Sequence, residues 1–298
     1  MEIAPQKFGD TLNTWFRALG SNWKNLLLSS LVVHVPLGVV VMFVFWMTGA
    51  AEYFDILMDP DLDTMPTEEV LEALIPMMWT IGIWAVLQIP AAAFVYLAAA
   101  RSLAGDMAGN PMPLGEVIRF AAARTLTGIG WILAVLAGGL TLTGVAIALG
   151  WVLIASGGAN FLTVFVTTVA GLTALVVLAW LGLSVSLGLP VIAMEDTSVI
   201  AALTRSFSLV QGRWWITLGY VALAGIISSA ASQLVSVVLV PVFLVGVLIP
   251  EMTAMGFGLS ALLQGPLLAA IAAAYVVWYV DLRARSEPLL AEQLVEPT

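Results

Sequence analysis

Six long segments without a single charged residue limit what this chain can fold into. Each contains at least 24 consecutive residues that include no Asp, Glu, Lys or Arg; they are residues 26–50, 74–100, 128–155, 161–194, 216–249 and 257–280. About 20 apolar residues are enough for a helix to cross the hydrocarbon core of a bilayer. Helices satisfy their own backbone hydrogen bonds, which a bilayer requires. The sequence therefore predicts an all-α, polytopic integral membrane protein with six transmembrane helices.

The composition excludes several other classes of protein. Only 10% of the residues are charged and 61% are hydrophobic, whereas a soluble domain has about 25% charged residues. The chain contains no cysteine and one histidine, His34, so disulfides, thiol catalysis and sites that need two histidines are excluded. A net charge of −9 is unsuited to nucleic acid. We predict neither a cofactor nor a metal.

The basic residues predict the orientation in the membrane. All ten lie before the first segment, after the last, or in the second and fourth connections; they are Lys7, Arg17, Lys24, Arg101, Arg119, Arg124, Arg205, Arg213, Arg283 and Arg285. Basic residues near the spans stay on the cytoplasmic side during insertion. Both termini are therefore predicted to be cytoplasmic, with the protein embedded in the lipid bilayer.

The first outer loop, residues 51–73, contains eight acidic residues and no basic one. Five of them are Asp59, Asp61, Asp63, Glu68 and Glu69. Like charges held this close repel one another, so the loop gains from a cationic partner or divalent ions. One interpretation is a recognition surface for a partner. The other is a polar, soluble loop of the kind that insertion favours.

The spacing of Asp59, Asp61 and Asp63 resembles the start of a calcium-binding loop. That motif requires Gly at its sixth position and Glu at its twelfth, where this chain has Thr64 and Val70. We therefore predict no dedicated calcium site. Thr67 is instead expected to cap a short helix, with Glu68 and Glu69 in its first turn.

The chain is predicted to be one membrane domain made of three similar units. Each unit is a cytoplasmic amphipathic helix at the membrane surface followed by a pair of spans. The boundaries are an interfacial helix at 1–25, hairpin one at 26–100, helix and hairpin two at 101–194, helix and hairpin three at 195–280, and a tail at 281–298. Pro190 and Pro241 are expected to break the long fourth and fifth segments.

Two stretches support a resemblance to a known family. Residues 190–215, PVIAMEDTSVIAALTRSFSLVQGRWW, place an acid after a proline, then Ala-Leu-x-Arg-Ser, Leu-Val-x-Gly and a tryptophan pair. Residues 279–287, YVDLRARSE, end a span with Asp-Leu-Arg-x-Arg-x-Glu. With the opening Phe8-Gly9-Asp10 and Pro36, nearly the whole chain resembles the membrane domain found beside glycerophosphoryl diester phosphodiesterases. Many stand-alone bacterial membrane proteins resemble it too, which implies the cell inner membrane.

This resemblance implies architecture and no catalytic activity. The fused relatives have a separate soluble barrel with paired histidines and acids around a metal, for which this chain lacks the residues. The family's motif positions fall here on charged residues at the cytoplasmic ends of spans: Glu195, Arg205, Asp281, Arg283 and Arg285. We predict that they form ion pairs, including Asp281 with Arg285 four residues later. No catalytic residue is predicted, and the protein is not expected to be an enzyme.

Apart from Ser, Thr, Tyr and Trp, the polar side chains inside the spans are His34, Gln88, Gln233 and Gln264. Ionisable residues inside a membrane are functional candidates by default, so His34 is a candidate for shuttling protons or binding a headgroup. The alternative is a neutral imidazole bonded to a backbone carbonyl freed by Pro36. A solute pathway should show a polar cavity near these four residues.

Small residues also recur at helical spacing. Ala224, Ser228, Ser232 and Ser236 repeat every four residues in the fifth span, and the third span contains Gly138, Gly139, Gly144 and Gly150. Such stripes usually allow helices to approach closely. A polar stripe of this kind can also line a pathway, and we favour packing.

Function is predicted at the level of class. The leading hypothesis is a non-enzymatic inner-membrane scaffold or accessory subunit of a membrane complex or lipid-related process, with other membrane protein subunits as partners. The alternative is a permease-like subunit that moves a lipid or another amphipathic solute. A scaffold should have a dry core and an uncovered surface for its partner.

Overall fold

The computed structural model describes residues 2–49, 65–158, 160–246 and 249–295. These residues are almost entirely helical, as predicted. The helices are α1 (Phe8–Met47), α2 (Thr67–Met107), α3 (Leu114–Gly157), α4 (Phe161–Val185), α5 (Gly188–Glu195), α6 (Val199–Val210), α7 (Trp214–Gly246) and α8 (Pro250–Ser286). Six apolar helical stretches are long enough to cross a membrane: α1, α2, α3, α4 together with α5, α7, and α8. The prediction of six candidate spans is confirmed.

Both described ends of the chain lie at the same end of the helix bundle, which we call the terminal end; the other is the far end. Strand β1 (Glu2–Ile3) pairs antiparallel with β2 (Leu289–Leu290). A 3-10 helix at Ala291–Leu294 follows. The side chains of Leu289 and Leu294 are buried in the main core. This C-terminal segment therefore closes the terminal end of the bundle.

The most extensive helix packing joins α1 to α8, which run antiparallel. Gly38 and Gly258 face each other, and a Cβ on Gly258 would lie 2.8 Å from the Gly38 carbonyl oxygen. Gly265 packs against the ring of His34 in the same way. Glycine at these positions lets the two backbones approach more closely than any side chain would allow.

The main core lies toward the terminal end. It includes Trp15 of α1, Leu97 of α2, Val191 of α5, Leu209 of α6 and Trp278 of α8. Toward the far end, α7 stays packed against α8 through Gly246 and Phe243, whereas α3 and α4 are largely exposed. No residue in the most apolar 18-residue window of α3, or of α4 with α5, is buried.

The fourth span breaks before Pro190, as predicted. Helix α4 ends at Val185 and α5 begins at Gly188. Proline has no N–H to donate to the Ser186 carbonyl, and its ring clashes with that group. Ser206 of α6 bonds two neighbouring backbone groups at this break, since its Oγ accepts from Leu187 N at 3.2 Å and donates to Ser184 O at 2.7 Å. The break thus anchors α6.

The predicted boundaries of the amphipathic helices need correction. Helix α1 runs from Phe8 to Met47 without interruption, so residues 8–25 form one helix with the first span. Leu114 likewise begins a helix that continues to Gly157. The segment before the third pair of spans is a separate helix, α6, capped by Ser198 Oγ. Ala202 and Leu209 of α6 are buried, whereas Ile200 is exposed.

Two further predictions about helix boundaries are wrong. Pro241 lies inside α7, which continues to Gly246; transmembrane helices tolerate proline where the freed groups find other partners. Thr67 is the first residue of α2 and Pro66 occupies the cap position, so Thr67 does not cap a short helix. Glu68 and Glu69 do lie in the first turn, and α2 continues into the second span.

The packing predicted for the small-residue stripes is mostly wrong. A Cβ on Gly138, Gly139 or Gly144 would meet no atom of the described residues within 4 Å. Gly150 alone of the four comes close to α4, at Thr167. In α7, Ala224 is buried but Ser232 and Ser236 are exposed. The close approaches occur instead at Gly38, Gly258 and Gly265, and at Gly188 beneath Trp131.

Candidate functional site

The predicted charge cluster begins where α5 ends and α6 follows. Arg205 Nε lies 3.0 Å from both Glu195 carboxylate oxygens. The connection between α5 and α6 is short because Asp196 ends α5 in the left-handed region, at φ 50°. Asp tolerates this conformation better than most residues. Arg124 of α3 forms an ion pair with the Asp196 carboxylate. The fourth-to-fifth connection is therefore fixed from two sides.

The last turn of α8 completes this cluster. Arg205 Nη2 donates to Glu287 Oε1 at 2.6 Å, and Arg283 Nε donates to the same oxygen at 2.7 Å. The Tyr279 hydroxyl donates to Glu195 Oε1 at 2.7 Å. Among the residues predicted to pair across the connection and the tail, Arg283 Nε lies 3.9 Å from Glu195 Oε1; the shorter bonds run through Glu287 and Tyr279, which were not predicted. We call Glu195, Arg205, Tyr279, Arg283 and Glu287 the five-residue network.

The charges in this network stabilise one another. Burial alone would raise the pKa of the Glu287 carboxyl, but hydrogen bonds and charges from Arg283 and Arg205 outweigh it and lower that pKa. Burial opposes the charge on Arg205, yet the bonds to Glu195 and Glu287 raise its pKa. Both residues are therefore charged at neutral pH.

A second ion pair lies within α8, and both of its residues bond the N-terminal segment. Arg285 Nε lies 2.9 Å from Asp281 Oδ2, so the predicted pair four residues apart is present. The other Asp281 oxygen, Oδ1, accepts from the backbone N–H of Gln6 at 2.8 Å. Arg285 also donates to the Gln6 carbonyl. Asp281 is buried, so this pair locks the chain before α1 onto the end of α8.

The chemistry available at the terminal end is that of a structural network. A pocket of about 360 Å³ is lined by Glu195, Thr197, Arg205, Arg283 and Glu287, together with Met194 and Gln293. Its two arginines are paired with its two glutamates, which leaves no net charge for a ligand. Within the described ranges, no three His, Asp or Glu side chains group so as to hold a metal ion.

Three of the four intramembrane polar residues come together between α1, α2 and α8. His34 is fully buried, and its Nδ1 lies 3.1 Å from the Ser30 carbonyl oxygen. Gln88 Nε2 lies 3.1 Å from Gln264 Oε1. Gln233 is exposed on α7 and does not belong to this group.

A small chamber lies beside this polar group, toward the far end. Its volume is about 100 Å³, and Gln264, Ser260, Thr80, Trp84 and Phe257 are among its lining residues. Thr80 Oγ1 is also 2.8 Å from Thr48 Oγ1 at the far end of α1. Polar groups therefore extend from His34 toward the far end of the bundle.

A much larger crevice separates α3 from α4. Its volume is about 860 Å³, and its lining is mainly apolar. Small residues, including Gly150, Gly171 and Ala174, contribute to its walls. Thr167 Oγ1 lies buried there without a hydrogen-bond partner among the described residues. The sequence did not indicate this feature, because periodicity within one helix says nothing about the distance to the next.

The outer acidic loop is described only in part. Asp59, Asp61 and Asp63 lie outside the described residues. Glu68 and Glu69 are exposed in the first turn of α2, where negative charge stabilises the helix dipole. The recognition hypothesis for this loop stays a prediction.

Two members of the five-residue network were not predicted. Glu287 lies four residues after Arg283, the spacing of a helical ion pair, so the sequence contained a signal for it. Tyr279 had no such signal. Asp106 of α2 was missed too; its Oδ2 accepts from Ser21 Oγ at 2.8 Å and from Asn22 Nδ2 at 2.9 Å, which ties α1 to α2.

Comparisons with known proteins give no relative on which to base a function. No family model, no curated protein and no solved structure matches this chain. The resemblance to the phosphodiesterase-associated membrane domain therefore stays a prediction.

Proposed function

We propose that this protein is a non-enzymatic scaffold or accessory subunit of an inner-membrane complex, and that its α3–α4 hairpin receives a membrane helix of a partner subunit. The observation that supports this most directly is the crevice of about 860 Å³ between α3 and α4. Packed helices usually lie 8–10 Å apart with their side chains interdigitated. These two helices leave room for another element between them.

The lining of the crevice suits a helix. Exposed apolar surface alone is no argument for a partner, because lipid covers such surface in any membrane protein. Glycine and alanine at Gly150, Gly171 and Ala174 allow a partner backbone to approach closely. Lipid chains are the competing occupant.

The interior of the bundle supports a scaffold over a permease. Pockets for small molecules usually measure about 300–1,000 Å³. The chamber beside Gln264 measures about 100 Å³, which holds several water molecules but no amphipathic solute. The permease alternative is therefore weaker, although a lipid in the α3–α4 crevice would favour it.

The arrangement in the membrane is part of the proposal. Six spans form three hairpins, with both termini in the cytoplasm and α6 lying along the cytoplasmic surface. The one-sided placement of all ten basic residues supports this orientation, and so does the pairing of β1 with β2 at one end of the bundle. The acidic loop at 51–73 then faces outward, where it is proposed to contact a cationic partner.

Crosslinking tests the α3–α4 docking site directly. The chain contains no cysteine, so a single introduced thiol is unique. Leu175→Cys places a thiol in the crevice, and Val176→Cys places one on an exposed neighbour outside it. With a thiol-attached photocrosslinker in native membranes, Leu175→Cys should capture one discrete protein and Val176→Cys should not. Capture of phospholipid alone at both positions would refute the docking site.

A further inference from the structure

His34 is an ionisable group with one unsatisfied atom inside the bundle. The residue is 0% exposed. Its Nδ1 is bonded to the Ser30 carbonyl, and its Nε2 is buried without a hydrogen-bond partner among the described residues. Buried polar atoms are normally paired, so an orphan of this kind calls for an explanation.

The hydrogen bond at Nδ1 leaves Nε2 as the ring nitrogen that can gain or lose a proton. A carbonyl oxygen only accepts hydrogen bonds, so Nδ1 must bear a proton. The neutral ring then has an unshared pair on Nε2 and needs a donor there. The protonated ring has N–H on both nitrogens and needs an acceptor at Nε2. Protonation therefore reverses the requirement at one atom.

Gln88 can meet either requirement. Its side chain lies close to the imidazole, although it makes no hydrogen bond to Nε2 in this structure. Its Nε2 donates to Gln264 Oε1, which leaves the Gln88 carbonyl oxygen to accept from a protonated His34. If the Gln88 amide turns over, its NH₂ serves a neutral His34 and its oxygen accepts from Gln264. The two glutamines can thus reverse their polarity with the charge on the ring.

Among the polar side chains near His34 are the amides of Gln88 and Gln264, and neither of them is charged. The α1, α2 and α8 segments at 26–50, 74–100 and 257–280 contain no Asp, Glu, Lys or Arg. Helix α8 presents the backbone of Gly265 to the ring, and α2 presents Gln88. No charged side chain from these three segments competes with Gln88 as a partner.

The route for a proton lies on the side of the far end. On the terminal side, Ser29 and Ser30 are buried and bond to carbonyls of their own helix. On the other side, Gln264 forms part of the wall of the chamber of about 100 Å³, which has room for several waters. Thr80 also lines the chamber and is bonded to Thr48 farther toward that end. Apart from Ser260, the remaining lining is apolar, at Val41, Ile81, Trp84, Phe257 and Ala261.

We propose that His34, Gln88 and Gln264 form a proton-binding site within the membrane, reached from the far end through the water-filled chamber. The ligand is a proton delivered by water. Its binding places the charge on His34 and turns the Gln88 and Gln264 amides into the orientation that accepts from Nε2. This site is independent of the α3–α4 docking proposal, since it uses different helices.

The single histidine makes the site directly observable. We would label the full chain with ¹⁵N-histidine, reconstitute it in lipid nanodiscs, and record the imidazole nitrogen signals from about pH 8 to pH 4. At high pH the signals should report the neutral tautomer with its proton on Nδ1. On acidification they should convert to the doubly protonated ring. A ring that stays neutral over the whole range would overturn the proposal.

Matched variants test the role of the amides. Gln88→Leu should remove the doubly protonated signal from the pH range in which the unmodified chain shows it. Gln233→Leu, an equal change at an exposed glutamine of α7, should leave the titration unaltered. Equal titration in both variants would show that the amides take no part. The wild-type titration stands as a test even if Gln88→Leu fails to fold.

Access is tested in sealed vesicles that are sorted so that the chain ends face inward. Changing the external pH should convert the His34 signal, and Ser260→Leu, which fills the chamber, should slow the exchange of the Nε2 proton with water. A signal that responds only to internal pH would overturn the assigned route.

Discussion

Arg205 and Glu287 are 82 residues apart in the sequence, and Nη2 of the first lies 2.6 Å from Oε1 of the second. This bond joins the connection between the fourth and fifth spans to the end of the last helix. Arg283 donates to the same Glu287 oxygen. The carboxylate therefore holds two arginines from separate parts of the chain, and its loss would affect both.

Replacing Arg205 with alanine should destabilise the protein. The change leaves Glu195 and Glu287 with one arginine between them, and losing bonds to partly buried charges should lower the free energy of unfolding by about 1–3 kcal/mol. Arg119→Ala is the control, because the Arg119 side chain is 81% exposed and lies 3.9 Å from Glu116. An exposed pair of this kind contributes about 0–1 kcal/mol. Thermal unfolding in detergent measures both; equal, negligible effects would contradict a structural role.

The stability should fall in acid through Glu287. Its pKa is lowered in the folded protein, so its contribution is fully present above the ordinary glutamate pKa of about 4.3. That contribution is lost as the pH falls through the lowered native value. Glu287→Gln should flatten this part of a plot of unfolding temperature against pH. Glu116→Gln should not, and identical acid profiles for the two variants would refute the assignment.

Gly258→Ala should weaken the contact between α1 and α8. Its Cβ would lie 2.8 Å from the Gly38 carbonyl oxygen and 2.9 Å from Met42 Cβ, so the backbones must separate. Overpacking of this kind costs about 1–3 kcal/mol. Gly138→Ala places the same methyl group in open space and should be neutral or slightly stabilising because alanine favours helix. If unfolding in detergent ranks the two variants the other way, the close packing is not required.

The orientation predicts which tags each side of the membrane can reach. Tags at both chain ends should react only with reagents in the cytoplasm. A tag at residue 60, in the acidic loop, should react only from outside. The physical reason is that basic residues are retained on the cytoplasmic side during insertion. A residue-60 tag that is protected from outside reagents would reverse the whole arrangement.

The acidic loop should hold its partner through charge. Attraction between exposed charges is largely screened beyond about 10 Å at 0.1 M salt, so a partner held by this loop should dissociate as salt rises. Neutralising Asp59, Asp61 and Asp63 together should release it at low salt. Co-purification across a salt series measures this. A triple variant that retains every partner would show that the loop is only a polar spacer.

Local rules explain what the sequence predicted correctly. Uncharged apolar length predicts the six candidate spans, Pro190 predicts the break before α5, and the four-residue spacing of Asp281 and Arg285 predicts their ion pair. Each of these features depends on residues that are close in the chain. The regular geometry of a helix brings residues at such a spacing into contact.

The remaining features depend on distant parts of the chain. Gly258 and Gly265 look like any small residues until α1 is placed against them. Gly138 and Gly139 look equally suited to packing, yet a Cβ on either would meet no described atom within 4 Å. Gln88 and Gln264 meet while Gln233 does not, because α2 and α8 share α1 as a neighbour and α7 packs farther out.

The packing of α1 against α8 has a consequence for biogenesis. The first helix enters the membrane long before its main partner exists, since α8 begins about 200 residues after α1 ends. At 5–20 residues per second, translation of the intervening chain takes on the order of tens of seconds. During that time Trp15, Gly38 and His34 lack their contacts with Ala270, Gly258 and Gly265 of α8. The first helix can therefore pack against α2 early, but it completes its packing only when the last helix arrives.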